Sequence, residues 1–101
     1  MSKAAIDQFT RCTALDLASN GVRCNAVNPG SINTDAHNPN GLMNDEALAT
    51  YFEKLSTLIP LGRVGETDDV TNAIVFLVSD DSSFMTGATM SVDGGRCVTT
   101  I

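Results

Sequence analysis

The feature that most constrains the fold is a helical repeat that leads, after one Asn-Gly pair, into an alternating strand pattern. Over residues 3–18, apolar residues recur at three- and four-residue intervals, which predicts an amphipathic helix of about four turns. Asn20-Gly21 favours the left-handed conformation that ends a helix. Residues 22–27 then alternate apolar and polar, which predicts a strand. A strand this close behind a helix is typical of an αβ unit in a parallel sheet, so the sequence predicts an α/β protein.

The first strand is expected to stop at Asn28-Pro29-Gly30. Proline cannot donate to a strand ladder, and glycine permits a sharp turn. Residues 31–44 are rich in Asn, Gly and Ser and are predicted to form a loop. Asn44 is a candidate N-cap for a second helix, which Pro60 is expected to end.

The last third of the chain predicts one more helix and one more strand. A third helix is expected to start near Thr67, where two acidic residues follow. After a turn at residues 81–86, residues 88–92 are predicted to form a short strand that ends at Asp93-Gly94-Gly95. Three helices and two strands are too little sheet for a doubly wound fold to stand alone.

Composition excludes several classes of function. The 101 residues suffice for one small domain, and the formal net charge is −6 with no basic cluster, so nucleic acid is not an expected partner. The longest apolar run covers residues 73–78, far short of the ~20 residues that cross a bilayer. The first residues also lack the pattern of a secretory signal. We therefore predict a soluble protein without membrane contact, located in the cytoplasm.

No metal site or disulfide framework is predicted. Cys12, Cys24 and Cys97 have no CxxC spacing and are interpreted as small, reduced apolar residues. His37 has no carboxylate or cysteine at metal-ligand spacing and is interpreted as a solvated loop residue. Asn25 places an amide in an apolar strand, and we expect it to bridge backbone groups.

Five short motifs, taken in order, resemble the classical short-chain dehydrogenase/reductase family. They are SKAA at 2–5, VRCNAVNPG at 22–30, PLGR at 60–63, FLVSD at 76–80 and GATMSVDGG at 87–95. The resemblance covers essentially the whole chain and corresponds to the C-terminal half of the family. It implies that residues 1–101 are the C-terminal portion of a single Rossmann-like domain, a doubly wound parallel sheet, whose N-terminal cofactor-binding half is absent from this sequence.

The resemblance implies a catalytic role for Lys3. The family pairs a tyrosine with a lysine four residues later on one helix face, where the ammonium favours the ionised phenol. The matching tyrosine would precede Met1, and the glycine-rich turn and the catalytic serine of the family would also lie upstream. Tyr51 is the sole tyrosine and cannot take that role at its spacing. Without the other motifs, Lys3 would be interpreted as a solvated lysine in the first turn.

The resemblance also implies residues that bind NAD or NADP. Pro29 and Gly30 with Thr34 match the family pattern PG-x-x-x-T, whose loop borders the nicotinamide. In the family, backbone groups at the position of Ile32 contact the carboxamide, the hydroxyl at Thr34 contacts the cofactor, and Lys3 orients the ribose. The alternative is a plain turn that ends the strand.

Residues 33–59 correspond to the variable substrate lid of the family. An apolar wall on this lid would suit a small carbonyl or alcohol substrate with a hydrophobic part; its candidate residues are Leu42, Met43, Tyr51 and Phe52. Alternatively, Phe52 and Leu55 pack on the sheet. The resemblance also implies a homo-oligomer formed through helix 3–18 and strand 88–92.

Two functions follow from these observations. The first is an NAD(P)-dependent oxidoreductase that transfers a hydride between a nicotinamide and a carbonyl or alcohol, with this sequence as a fragment that lacks the tyrosine and the glycine-rich turn. The alternative is a non-catalytic short product that associates with full-length subunits. We favour the first because the five motifs occur in order, and we expect the chain alone to be inactive and prone to self-association.

Overall fold

The computed structural model describes residues 2–34 and 40–99, which contain three α-helices and two β-strands. They are α1 (Lys3–Leu17), β1 (Ala26–Pro29), α2 (Asp45–Ser56), α3 (Thr67–Val78) and β2 (Thr89–Val92), with short 3-10 turns at Ala18–Asn20, Asp80–Ser82 and Arg96–Val98. The predicted number of helices and strands is confirmed for these residues. His37 lies outside the described residues.

The chain divides into two compact units. The first unit comprises Met1–Asn28 and Thr71–Ser91, and the second comprises Pro29–Val70 and Val92–Ile101. Each unit therefore draws on two stretches that are distant in the sequence. The predicted catalytic lysine belongs to the first unit, and the predicted cofactor loop belongs to the second.

The strands β1 and β2 pair with each other in parallel, which agrees with the predicted parallel sheet. The Ala26 N–H donates to the Ala88 carbonyl at 2.9 Å, and the Gly30 N–H donates to the Val92 carbonyl at 3.0 Å. Donor and acceptor numbers rise together along the two strands, which is the register of a parallel ladder. The α/β class predicted from the helix-strand succession is therefore confirmed.

The predicted bounds of the first strand, residues 22–27, are wrong at both ends, because β1 runs from Ala26 to Pro29. Before Ala26, isolated hydrogen bonds take the place of a regular strand ladder. The Cys24 N–H donates to Thr86 Oγ1 at 3.1 Å, and the Cys24 carbonyl accepts from the Gly87 N–H at 2.7 Å. Proline is tolerated at the end of β1 because the N–H groups that point at β2 belong to even-numbered residues.

Helix α1 confirms the prediction for residues 3–18 almost completely. Ser2 caps its start by accepting from the Ala5 N–H at 3.3 Å, and Gly21 ends the following 3-10 turn with φ 74°. Ala14 is buried, whereas Phe9 and Leu15 are 67% and 80% exposed. The described residues thus cover only part of the apolar surface of this helix.

Arg23 ties the end of α3 to the segment that follows it. Its guanidinium donates to the carbonyls of Ser79, Ser82 and Met85 at 3.0 to 3.2 Å and to Ser82 Oγ at 3.1 Å. Ser82 is only 2% exposed, and its hydroxyl also lies 2.9 Å from the carbonyls of Phe76 and Leu77. One planar donor with several N–H groups therefore holds together three carbonyls of the segment that follows α3.

Asn25 has the structural role that the sequence suggests. Its Nδ2 donates to the Met85 carbonyl at 3.2 Å, and its Oδ1 accepts from the Ala88 N–H at 3.0 Å. The amide thus continues the contact between the two chain segments before the β1–β2 ladder begins.

In the second unit, α2 begins where predicted and ends earlier than predicted. Asn44 caps it by accepting from the Ala47 N–H at 2.7 Å. The helix ends at Ser56, not at Pro60, because Thr57 turns back on its last turn: its hydroxyl donates to the Lys54 carbonyl at 2.7 Å, and its N–H also donates there. Helix α3 begins at Thr67 with Asp68 and Asp69 in its first turn, as predicted.

Few apolar side chains are buried among the described residues. Those that are buried are Ala14, Ile59, Val64 and Leu77. Exposed ones occur on every helix and include Phe9, Leu15, Leu58, Leu61, Val75 and Val78. No helix in residues 2–34 and 40–99 combines the length and the apolar character needed to cross a membrane.

Arg23→Lys should lower the free energy of unfolding by about 1–3 kcal/mol, because an ammonium cannot reproduce the fork that serves three carbonyls and a buried hydroxyl. Urea unfolding followed by circular dichroism at fixed protein concentration measures the change. Arg11→Lys is the matched control, since Arg11 makes one exposed bond to Gln8. Equal effects of the two variants would contradict this account of Arg23.

Candidate functional site

Four of the five residues implied by the family resemblance lie in one loop of the second unit, residues 29–34, which we call the 29–34 loop. Pro29 ends β1, Gly30 and Thr34 are exposed, and Ile32 is half-buried. Lys3 lies in the first unit as the first residue of α1, with an exposed side chain. The loop follows the carboxyl end of a parallel strand, where open α/β sheets bind ligands.

Gly30 is required because another backbone comes close, and not because of the sharp turn expected from the sequence. It is absent from the glycines with positive φ, so its conformation is open to other residues. A Cβ at Gly30, however, would lie 2.6 Å from the Cβ of Asp93 and 3.0 Å from its Cα. Only a residue without a side chain fits beside Asp93 at this distance.

On its other side the 29–34 loop pairs with Gly65. The Ser31 carbonyl accepts from the Gly65 N–H at 2.9 Å, and the Asn33 N–H donates to the Gly65 carbonyl at 2.7 Å. Backbone groups alternate along an extended segment, so the N–H and carbonyl of Ile32 point away from Gly65. Within residues 2–34 and 40–99, neither group of Ile32 makes a hydrogen bond.

The turn after β2 is held by the side chain of Asp93. Its Oδ1 accepts from the Gly95 N–H at 2.9 Å, and its Oδ2 accepts from the Cys97 N–H at 3.1 Å. Gly94 and Gly95 adopt φ of 65° and 92°, which explains two glycines in succession. The Gly94 carbonyl accepts from the Leu61 N–H at 3.0 Å, so the same turn also holds the segment that follows α2.

An ion pair fixes the start of α3. The guanidinium of Arg63 donates to both carboxylate oxygens of Asp69, at 2.9 and 3.2 Å, and Asp69 Oδ2 also accepts from the Glu66 N–H at 2.8 Å. The Arg63 hydrogen bond, followed by the bond from Glu66, lowers the pKa of Asp69 to about 2. The same hydrogen bond raises the pKa of Arg63. Sequence reasoning missed this pair, although an arginine six residues before an acid in a first helical turn was a visible signal.

An open cavity of about 590 Å³ lies within the second unit, between α2 and the first turn of α3. Its lining residues are Asn33, Phe52, Ser56, Arg63, Val64, Glu66, Asp68 and Asp69. Of the four residues expected to form an apolar wall, Phe52 lines this cavity, and the ring of Tyr51 lies 5.8 Å from that of Phe52. Leu42 is exposed, and residues 35–39 of the predicted lid lie outside the described residues.

In residues 2–34 and 40–99, no three side chains of His, Cys, Asp or Glu are grouped to hold a metal ion. All three cysteines are among these residues and form no disulfide.

The lowered pKa of Asp69 predicts a pH-dependent effect of Asp69→Asn. The folded pKa of about 2 lies below the ordinary value of 3.8, so ionised Asp69 stabilises the fold above pH 3.8, and this contribution is lost as the pH falls towards 2. The difference in urea midpoint between wild type and Asp69→Asn should therefore be largest at neutral pH and vanish near pH 2. Asp68→Asn, which leaves the ion pair intact, is the control. A difference that does not change with pH would refute the role of the pair.

Comparisons with known proteins assign the chain to a family. A family model described as Enoyl-(Acyl carrier protein) reductase matches residues 1–96. L-xylulose reductase of Caenorhabditis elegans is 43% identical over 94 residues, which cover 93% of this chain and 36% of that protein. L-rhamnose 1-dehydrogenase (NAD(P)(+)) of Azotobacter vinelandii is 43% identical over 99 residues, which cover 96% of this chain and 36% of that protein.

The structural comparison agrees with the sequence comparison. A Caenorhabditis elegans short-chain dehydrogenase/reductase of unknown function, crystallised with cofactor, superposes with a TM-score of 0.83 at 38% identity, covering 95% of this chain and 36% of that one. The chain spans little more than a third of the length of these relatives. The resemblance read from the five motifs is confirmed: the chain belongs to the short-chain dehydrogenase/reductase family, and its helices and parallel strand pair are part of an α/β Rossmann-like fold.

Proposed function

We propose that residues 1–101 are the C-terminal portion of the single Rossmann-like domain of an NAD(P)-dependent oxidoreductase that interconverts a carbonyl and an alcohol. Family membership supports this proposal, because relatives of this chain bear the names of a reductase and of a dehydrogenase. The tyrosine and the glycine-rich turn of the family do not occur at the required spacing in the 101 residues. The activity therefore requires a polypeptide that supplies both.

The backbone of Ile32 is the observation that carries the proposal. Its N–H and carbonyl point away from the Gly65 pairing, just beyond the carboxyl end of a parallel strand. A primary carboxamide carries one acceptor oxygen and an NH₂ donor, so one donor and one acceptor on a single residue match it. The backbone N–H and carbonyl of Ile32 therefore fit the nicotinamide carboxamide, in agreement with the family pattern.

The cofactor is NAD or NADP, and it supplies the hydride donor or acceptor when bound. The name of the Azotobacter relative, which includes NAD(P)(+), and the cofactor in the Caenorhabditis elegans structure support this choice. In this chain Pro29 and Gly30 shape the loop, Ile32 binds the carboxamide through its backbone, and the exposed Thr34 offers a hydroxyl to the cofactor. Lys3 orients the ribose.

Lys3 also assists proton transfer to the substrate oxygen. An ammonium close to a phenol favours the phenolate, which lets a group with a pKa of about 10 exchange a proton at neutral pH. Lys3 is exposed at the start of α1, so its ammonium is accessible. In a longer polypeptide whose helix continues upstream in place of the Ser2 cap, a tyrosine four residues before Lys3 would share its face. Tyr51 cannot take this role, because it lies inside α2.

We assign residues 33–59 to a lid over a small-molecule carbonyl or alcohol. Phe52 supplies an apolar surface to the cavity of the second unit, and the polar and charged residues around it limit how much of the substrate is apolar. The substrate proposed is therefore a molecule with both hydroxyl or carbonyl groups and a short apolar part.

We further propose a cytoplasmic homo-oligomer that uses α1 and strand 88–92. The exposed Phe9 and Leu15 on α1 support such an interface, since large apolar residues on one helix are commonly covered by other protein. The same surface also supports the alternative function, in which the chain is a non-catalytic product that associates with full-length subunits. Carbonyl reduction by an enzyme that contains residues 1–101 would indicate the oxidoreductase, and its absence would indicate the non-catalytic product.

Lys3→Met should lower kcat by two or more orders of magnitude in a complete enzyme, because the phenol loses its cation. We suggest a chimera in which residues 1–101 replace the similar part of C. elegans L-xylulose reductase, with a tyrosine four residues before Lys3. Reduction of L-xylulose and of other small carbonyls is followed by NADH or NADPH absorbance. Arg11→Met, which removes an exposed cation from the same helix, is the control. Near wild-type kcat in Lys3→Met would refute the assignment.

The 101-residue chain alone should show no cofactor-dependent carbonyl reduction, because it lacks the proton donor and the phosphate-binding turn. The purified chain is assayed beside its Lys3→Ala variant, and both should give the rate of buffer. Turnover by the wild-type chain that exceeds the rate of the variant would contradict the proposed division of the active site.

A further inference from the structure

Asp93 lies against the 29–34 loop so closely that no side chain fits at Gly30. The Gly30 N–H bonds the Val92 carbonyl at 3.0 Å, and the next residue, Asp93, presents its Cα and Cβ to the face of Gly30 where a side chain would stand. Closely packed backbones transmit displacement instead of absorbing it. The position of Gly30 is therefore set by the position of Asp93.

The Asp93 side chain is itself immobilised. Both of its carboxylate oxygens accept backbone N–H groups of its own turn, from Gly95 and Cys97. Its carbonyl also accepts from the Arg96 N–H at 3.2 Å. The Cα and Cβ that face Gly30 move only with the backbone, and a backbone shift at Asp93 would break these two charge-assisted hydrogen bonds. The contact surface offered to the loop is therefore fixed.

The far end of the loop is fixed separately by Gly65. Its two hydrogen bonds with Ser31 and Asn33 flank Ile32, so Ile32 is held between the Asp93 contact and the Gly65 pairing. A shift at Gly30 must then be taken up within two residues, at the backbone groups that face away from Gly65. A misplacement of about 1 Å in the groups that position a reactant is enough to lower the reaction rate about 100-fold.

We propose that Asp93 is a positioning residue for the cofactor: through its contact with Gly30, it sets the place and direction of the Ile32 backbone groups that bind the nicotinamide carboxamide. This inference rests on the proposed function and extends it to a residue that the sequence analysis interpreted only as part of the turn that ends strand 88–92. The role is distinct from holding the fold together, because it acts on the affinity for the cofactor.

A double-mutant cycle in the chimera tests the proposal, with the Kd for NADH and NADPH measured by fluorescence titration. Gly30→Ala should raise the Kd of the better-bound cofactor by about 10-fold or more, because the new Cβ pushes the loop off Asp93. Asp93→Gly alone should also raise the Kd, because it loses both hydrogen bonds to the turn. In Gly30→Ala/Asp93→Gly the two losses should be less than additive, because the clashing Cβ of Asp93 is gone. Losses that simply add, or exceed their sum, would overturn the proposal.

A second variant keeps the test decisive if Gly30→Ala does not fold. Asp93→Ala keeps the Cβ but loses both hydrogen bonds to the turn, and should raise the cofactor Kd by about 10-fold. Asp93→Asn, which has the same shape and can still accept from the Gly95 N–H, should stay closer to wild type. Arg23→Lys is the control for lost stability, because Arg23 belongs to the first unit.

The readouts separate positioning from folding. The proposal predicts that Asp93→Ala raises the Kd for the cofactor, whatever its effect on Tm. Arg23→Lys should lower Tm and leave the Kd unchanged. An unchanged Kd in Asp93→Ala, or equal Kd changes in both variants, would overturn the positioning role and leave the proposed function intact. Failure of the wild-type chimera to bind either cofactor would overturn both.

Discussion

The approach of Gly30 to Asp93 is the constraint on which the second unit depends. At the ends of β1 and β2 the two backbones come so close that a single added carbon would lie 2.6 Å from Asp93 Cβ. The contact lies where the chain enters the 29–34 loop after β1 and the double-glycine turn after β2. The glycine of the Pro-Gly pair is thus explained by packing between strands, whereas the sequence alone suggested a demand of the turn.

The first unit is held by hydrogen bonds of polar side chains, where the second unit relies on close packing of backbones. Arg23 satisfies the carbonyls that follow α3, and Asn25 joins the segment before β1 to the segment before β2. These two polar side chains connect chain segments that a longer strand ladder would otherwise connect through backbone hydrogen bonds. Residues 22–25 alternate like a strand but do not form one, and the two backbone groups of Cys24 bond to the Thr86 hydroxyl and to the Gly87 N–H.

Local signals predicted the helices well because capping is a local interaction. Asn44 and Gly21 act within a few residues of where they stand, and each has the predicted role. The cap at Ser2 is equally local, but it was not predicted. The misses involve partners distant in sequence or competing side chains. The start of β1 depends on residues 86 to 88, the reason for Gly30 depends on Asp93, and the end of α2 depends on the Thr57 hydroxyl and not on Pro60. The family motifs located the candidate loop, but the direction of the Ile32 backbone groups required the pairing with Gly65.

The most direct measurement is a crystal structure of the chimeric enzyme with its nicotinamide cofactor bound. The account predicts that the N–H and carbonyl of Ile32 hydrogen-bond the carboxamide, while Ser31 and Asn33 keep their bonds to Gly65 and Gly30 keeps its contact with Asp93. A cofactor whose carboxamide is bound elsewhere, with the backbone of Ile32 facing solvent, would contradict it.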